Sequence, residues 1–129
     1  MQKKQTLITW FIRHDQRHSM DIYTLVKGDS APQIRATVTR EDDGSAVSFA
    51  GGVVRMKFRK KDTTTVLFTM FGADSSGGDF ANGIATFSFA SGNLNLDAGY
   101  YQGEIEITYS DGLVETIYEI MEFYLRDDF

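Results

Sequence analysis

His14 and His18 stand four residues apart, with Asp15 and Asp21 close by. On a helix that spacing sets two imidazoles on one face, the arrangement that zinc sites use. A metalloprotease helix also needs Glu directly after the first His. Asp15 stands there instead, one methylene short, and the flanking segments read as strands, so a solvated polar loop is the expected setting. Asp42-Asp43-Gly44 opens like a calcium loop but lacks the alternating oxygen ligands and the later Glu; a hairpin turn accounts for it. Asp74 and Asp79 belong to a Gly/Ser-rich stretch expected to be an exposed loop. Gly51-Gly52 and Gly77-Gly78 lack the strand–loop–helix setting of a phosphate cradle. Glu104 and Glu106 fall on one strand face roughly 7 Å apart. Hydrolases do use carboxylate pairs, but here cross-strand pairing with Lys or Arg is the simpler reading. Arg55, Lys57, Arg59, Lys60 and Lys61 form a basic stripe. A single-strand nucleic-acid site interleaves exposed aromatics with such a stripe, whereas Met56 and Phe58 fall on the opposite face. The expected role is a solvated face, with a charged protein partner as the second reading. There is no cysteine for thiol chemistry, and neither His suggests a serine triad. No catalytic residue, metal set or cofactor is expected.

The elements that carry these residues are strands. Gly99 to Tyr109 alternates Ile105, Ile107 and Tyr109 with Glu104, Glu106 and Thr108, so one face is dry and the other wet. Ser110-Asp111-Gly112 then turns the chain. Asp-Gly in a tight hairpin implies positive φ at both central positions. Gln33 to Thr39 alternates with Ile34, Ala36 and Val38 on one face, and Val53 to Arg59 with Val54, Met56 and Phe58. Further extended segments are expected at Thr6–Ile12, Asp21–Val26, Thr65–Phe71, Ile84–Ala90, Leu113–Tyr118 and Ile120–Leu125. Val47 and Phe49 are expected to drop into the core. The stretch from Gly72 to Gly83 is expected to be a long polar loop, and Leu94 to Gly99 a connector. About eight strands at such spacing point to a sandwich or a barrel.

Bulk properties agree. The chain has 129 residues, the length of one domain. Twelve glycines, one proline, ten phenylalanines and six tyrosines fit an all-β protein. A net charge of -5, spread along the chain, argues against nucleic acid as a partner. The longest apolar run, Leu7 to Ile12, is too short to span a membrane, and Arg13 to His18 follows it instead of a cleavage site. No membrane partner is expected, and a cytoplasmic site of synthesis is. The run contains Leu7, Trp10, Phe11 and Ile12, residue types favoured at interfaces. Residues 1–19 are therefore read as an arm that docks on a neighbouring subunit or as an ordinary edge strand, and residues 20–129 as the sandwich.

Three stretches carry a resemblance to a family. They are Lys27-Gly28-Asp29-Ser30-Ala31-Pro32 running into the alternation to Thr39, Ser48 to Arg59, and Asp97-Ala98-Gly99-Tyr100-Tyr101-Gln102-Gly103-Glu104-Ile105-Glu106-Ile107 with Ser110-Asp111-Gly112-Leu113-Val114-Glu115-Thr116. From Asp21 to Leu125 the chain resembles small tailed-bacteriophage proteins related to the N-terminal domain of the upper baseplate protein. The segment before Asp21 is longer and more aromatic than that pattern. The resemblance implies an immunoglobulin-like antiparallel β-sandwich and a structural, non-enzymatic part of a phage virion, in the tail, baseplate or head–tail region. It implies other virion proteins as partners, several copies in a ring, and assembly in the host cytoplasm. With no stalk or head expected beyond the sandwich, a stand-alone adaptor is the expected role. The alternative from another class is a carbohydrate- or receptor-binding module with Tyr100, Tyr101, Tyr109, Tyr118 and Tyr124 as a stacking platform. Alternation places Tyr101 and Tyr109 inside.

Overall fold

A computed structural model describes residues 22–40, 44–117 and 120–128 in full and the backbone of residues 7–12. Its strands are β1 (Leu7–Ile12), β2 (Ile22–Val26), β3 (Gln33–Val38), β4 (Val53–Lys60), β5 (Val66–Phe71), β6 (Ile84–Ser88), β7 (Gly99–Thr108), β8 (Val114–Thr116) and β9 (Met121–Arg126). They form an all-β sandwich of two sheets. The smaller has the order β1-β3-β6; the larger has the order β2-β9-β7-β4-β5, with β8 also paired to β7.

Alternation builds the core, because each strand presents every second side chain to the space between the sheets. Ile34, Ala36 and Val38 from β3 meet Val54, Met56 and Phe58 from β4, Ile105 and Ile107 from β7, and Met121, Phe123 and Leu125 from β9. Val47 and Phe49 are buried among them, as are Phe87 and Phe89. Phe58 sits at the centre. Its ring stacks on Phe68 at 4.7 Å and Tyr101 at 5.6 Å, and meets Phe123 at 5.2 Å and the edge of Phe89 at 6.0 Å.

The larger sheet has the immunoglobulin-like pattern in which β4, β7 and β9 are central. The connector from Leu94 to Gly99 supplies a lock that the alternation did not reveal. Tyr101, two residues into β7, donates its hydroxyl to the Asp97 carbonyl at 2.6 Å, the geometry of a tyrosine corner. The sequence signal for it is the Asp97-Ala98-Gly99-Tyr100-Tyr101 spacing.

Three features differ from expectation. First, two outer pairings are parallel: β1 runs with β3 and β2 with β9. Parallel neighbours need a crossover, and between β1 and β3 the chain visits the other sheet to make β2. Alternation says which face is dry but not which way a neighbour runs. Second, of the hairpin-turn residues only Gly112 has positive φ, at 91°. Gly112 N–H donates to the Tyr109 carbonyl at 2.9 Å and Tyr109 N–H to the Leu113 carbonyl at 2.8 Å. Three residues, not two, lie between the bonded pair Tyr109 and Leu113, so a turn closed by one left-handed glycine is the favoured solution. Third, the stretch from Gly72 to Gly83 is not wholly an exposed loop. It contains a 3-10 turn, Phe80–Asn82, and Phe80 stacks on Phe49 at 4.9 Å. Asp79 is buried at 8% exposure. Its Oδ1 accepts the Ser76 hydroxyl at 2.6 Å, while Asp74 Oδ1 accepts the Asp79 N–H at 2.9 Å. The Ser76 hydroxyl gives one oxygen of this buried carboxylate a partner, as a buried polar group requires.

Candidate functional site

The outward face of the larger sheet collects most of the charged residues singled out from the sequence. Because Val54, Met56 and Phe58 point inward, Val53, Arg55, Lys57 and Arg59 point outward. Antiparallel register sets Arg55 opposite Glu106, Lys57 opposite Glu104 and Arg59 opposite Gln102. Both cations converge on one carboxylate: Arg55 Nε lies 3.5 Å from Glu106 Oε1 and Lys57 Nζ 3.3 Å from Oε2. Arg59 Nε donates to Gln102 Oε1 at 3.1 Å, and Lys61 Nζ pairs with Glu122 Oε1 at 3.4 Å. The expected cross-strand pairing of the acidic residues thus holds for Glu106, while Glu104 faces Lys57 in register only. Partly exposed pairs of this kind contribute about 0–1 kcal/mol each. Their larger effect is to fix the side chains of a polar face.

Apolar residues flank this ladder. Val53, Thr108 and Val114 form a row across β4, β7 and β8, next to Leu113 at the turn. Leu113 is 66% exposed, Val114 59% and Val53 43%. In the next row Phe71 is 62% exposed, and the Arg55 guanidinium lies 5.7 Å above its ring. A cation over an aromatic face keeps both groups presented to the surface. Large apolar residues beside Arg are the composition of a protein-binding patch, whereas isolated ones need no explanation. The adjacent apolar pairs Leu113-Val114 and Val66-Leu67 carried the signal. Neither fits a period of two, so at least one member must leave the core; in each pair both are exposed, and at Leu67 a register shift opposite Phe58 and Arg59 takes up the extra residue.

The remaining candidates are more dispersed. Leu7, Trp10, Phe11 and Ile12 lie on β1, whose backbone runs in register with β3 from Leu7 opposite Gln33 to Ile12 opposite Val38. His14, Asp15, His18 and Asp21 lie outside the described residues, as do Asp42, Asp43 and Tyr118. Among the described residues no three His, Asp or Glu side chains gather as a metal site would require. No helix among them is long and apolar enough to cross a membrane. Tyr101 is buried and Tyr109 partly so. Tyr100 and Tyr124 share the outward face, their rings 4.9 Å apart but tilted by 51°, so they do not form one flat platform. A polar cleft of about 280 Å³ on the smaller sheet is lined by Gln33, Arg35, Ser75, Ser76, Asp79 and Thr86.

Tyr109 gives this end of the sheet an alkaline limit. Its hydroxyl donates to Glu115 Oε1 at 2.7 Å. Burial, then the hydrogen bond and charge of Glu115, push its pKa up to about 12 from 10.0, with Arg40 pulling the other way. Because the folded value is raised, the stabilisation is complete below pH 10.0 and is lost as pH rises toward about 12. The urea midpoint is therefore expected to fall across that window, and to fall less in Tyr109→Phe. Equal falls in the two proteins would contradict this.

No family model matches this chain, and no curated protein matches it in sequence. Among solved structures, the N-terminal domain of ORF48 from phage TP901-1 shares its fold, with a TM-score of 0.61 at 15% identity, over 96% of this chain and 99% of that one. Two further structures are looser matches. CopC from Methylosinus trichosporium OB3b has a TM-score of 0.44 at 13% identity, over 84% of this chain and 86% of its own. The cysteine protease inhibitor EhICP2 from Entamoeba histolytica has a TM-score of 0.30 at 8% identity, over 95% and 97%.

Proposed function

We propose that this chain is a non-enzymatic structural component of a tailed-phage virion, an assembly or adaptor module that works through protein–protein contacts in the tail, baseplate or head–tail region. The observation that carries this reading is the end-to-end likeness of fold to a phage domain, 96% of one chain on 99% of the other. The independent resemblance in sequence points the same way, and the outward face combines a fixed charge ladder with exposed Phe71, Leu113 and Val114. The module acts by presenting surfaces. Neighbouring virion proteins, including further copies of the chain in a ring, pack against the larger sheet. Leu7, Trp10, Phe11 and Ile12 are proposed as a second contact at the margin of the smaller sheet.

Deleting the gene from the phage that carries it is expected to yield particles with incomplete or missing tail structures, restored when the gene is supplied in trans. Normal, infectious particles from the deletion would overturn the proposal. Among the described residues, the carbohydrate- or receptor-binding reading draws on Tyr100 and Tyr124.

A further inference from the structure

The larger sheet ends at β5; two residues past it, Ala73 exchanges bonds on the far side with Thr86 of β6 at 2.8 and 3.1 Å, and from Phe71 back no strand among the described residues pairs with that side. Gly72 N–H donates to the Val54 carbonyl at 2.7 Å. In an antiparallel ladder alternate residues exchange bonds with the same neighbour, so Met70 and Phe68 bond toward β4. Thr69 and Phe71 direct their N–H and C=O groups to the open side. Sheets usually protect such edges with Lys, Pro or an inward charge. β5 reads Val-Leu-Phe-Thr-Met-Phe and has none of these; its irregularity at Leu67 lies at the other end from Thr69 to Phe71. Val66, Leu67 and Phe71 are exposed along it.

Charge selects the occupant. The cations Arg55, Lys57, Arg59 and Lys60 all lie on β4, directly beside β5, while Glu104 and Glu106 lie on β7 and Glu122 on β9, farther from the edge. A strand added to β5 would run about 10 Å from β4, two strand spacings away and within a Debye length at ordinary salt. We propose that β5 accepts an extended strand from a partner protein in which apolar residues alternate with Asp or Glu. This rests on reading the chain as a contact module and names the partner chemistry. Backbone bonds to Thr69 and Phe71 supply affinity, and alternate side chains supply specificity. The acidic residues share the outward face with Arg55, Lys57 and Arg59; the apolar ones cover the rim where Phe68 is half-buried. A second copy fits poorly, because pairing β5 with itself would bring two basic β4 strands toward each other.

The test is an NMR titration of the whole protein with two blocked octapeptides, one alternating Val with Glu and the other Val with Lys. At about 50 mM salt, where screening is weak, the Glu peptide is expected to bind at least tenfold tighter than the Lys peptide and to shift the Thr69 and Phe71 amides. Thr69→Pro removes an edge-facing donor without removing a bond to β4 and is expected to abolish binding. Should that variant unfold, Arg59→Glu serves instead and is expected to erase the preference for Glu. Equal binding of the two peptides, no binding, shifts that map elsewhere, or a dimer held through β5 would overturn the proposal. None of these outcomes bears on whether gene deletion disrupts particles, so failure here is separable from failure of the virion reading.

Discussion

Phe58→Ala is expected to lower the unfolding free energy by about 3–5 kcal/mol, a large part of the stability of a typical domain. The ring is wholly buried, and its four aromatic neighbours come from separate parts of the chain. Phe68 is on β5, Tyr101 on β7 and Phe123 on β9, while Phe89 follows β6 in the opposite sheet. Phe68, Tyr101 and Phe123 are held by sheet ladders and Phe89 sits just past the end of β6, so the cavity cannot collapse by moving one loop, and incomplete collapse is what makes such substitutions costly. Phe71→Ala is the matched contrast. That ring is 62% exposed, and its removal is expected to change stability by no more than about 0.5 kcal/mol. Urea denaturation of the two variants measures the difference; similar losses would mean that the core is not centred on Phe58.

Gly83→Ala is the second large effect, expected at roughly 2–3 kcal/mol. Gly83 follows the 3-10 turn with φ at 75°, a conformation that costs an L side chain about 1–2 kcal/mol. A Cβ there would also lie 2.7 Å from the Val38 carbonyl oxygen and 2.9 Å from that of Val47. Those oxygens cannot withdraw cheaply, because the Val38 N–H bonds to Gly83 O and the Val47 N–H to Val38 O. Gly77 has nearly the same φ, 77°, but open space around it. Gly77→Ala should therefore show the conformational cost alone. Equal urea midpoints for the two variants would remove the steric part of this explanation.

These positions also mark what the sequence made legible. Phe58, Val54 and Met56 were readable as core because a period of two over a whole strand leaves one assignment of faces. The same holds for Ile34, Ala36 and Val38. The pairing of Arg55 and Lys57 with Glu106 followed from the same alternation together with sheet geometry. The parallel pairings of β1 and β2 were not readable, since side-chain period carries no strand direction. Nor was the burial of Asp79, whose carboxylate accepts the Ser76 hydroxyl and whose backbone N–H is held by Asp74. The exposed patch was only partly visible. Leu113-Val114 and Val66-Leu67 show that at least one apolar residue of each pair must face out, but that both do follows from the turn and from the register shift. The open side of β5 is a property of the assembled sheet, and no local pattern announces it.

Quantitative mass spectrometry of gradient-purified tailed particles, produced from the source of the gene, tests the proposed virion role most directly. The expected result is peptides of this chain in a fixed ratio to known tail proteins, at several copies per particle. Particles of full infectivity that contain none of it would contradict the assignment.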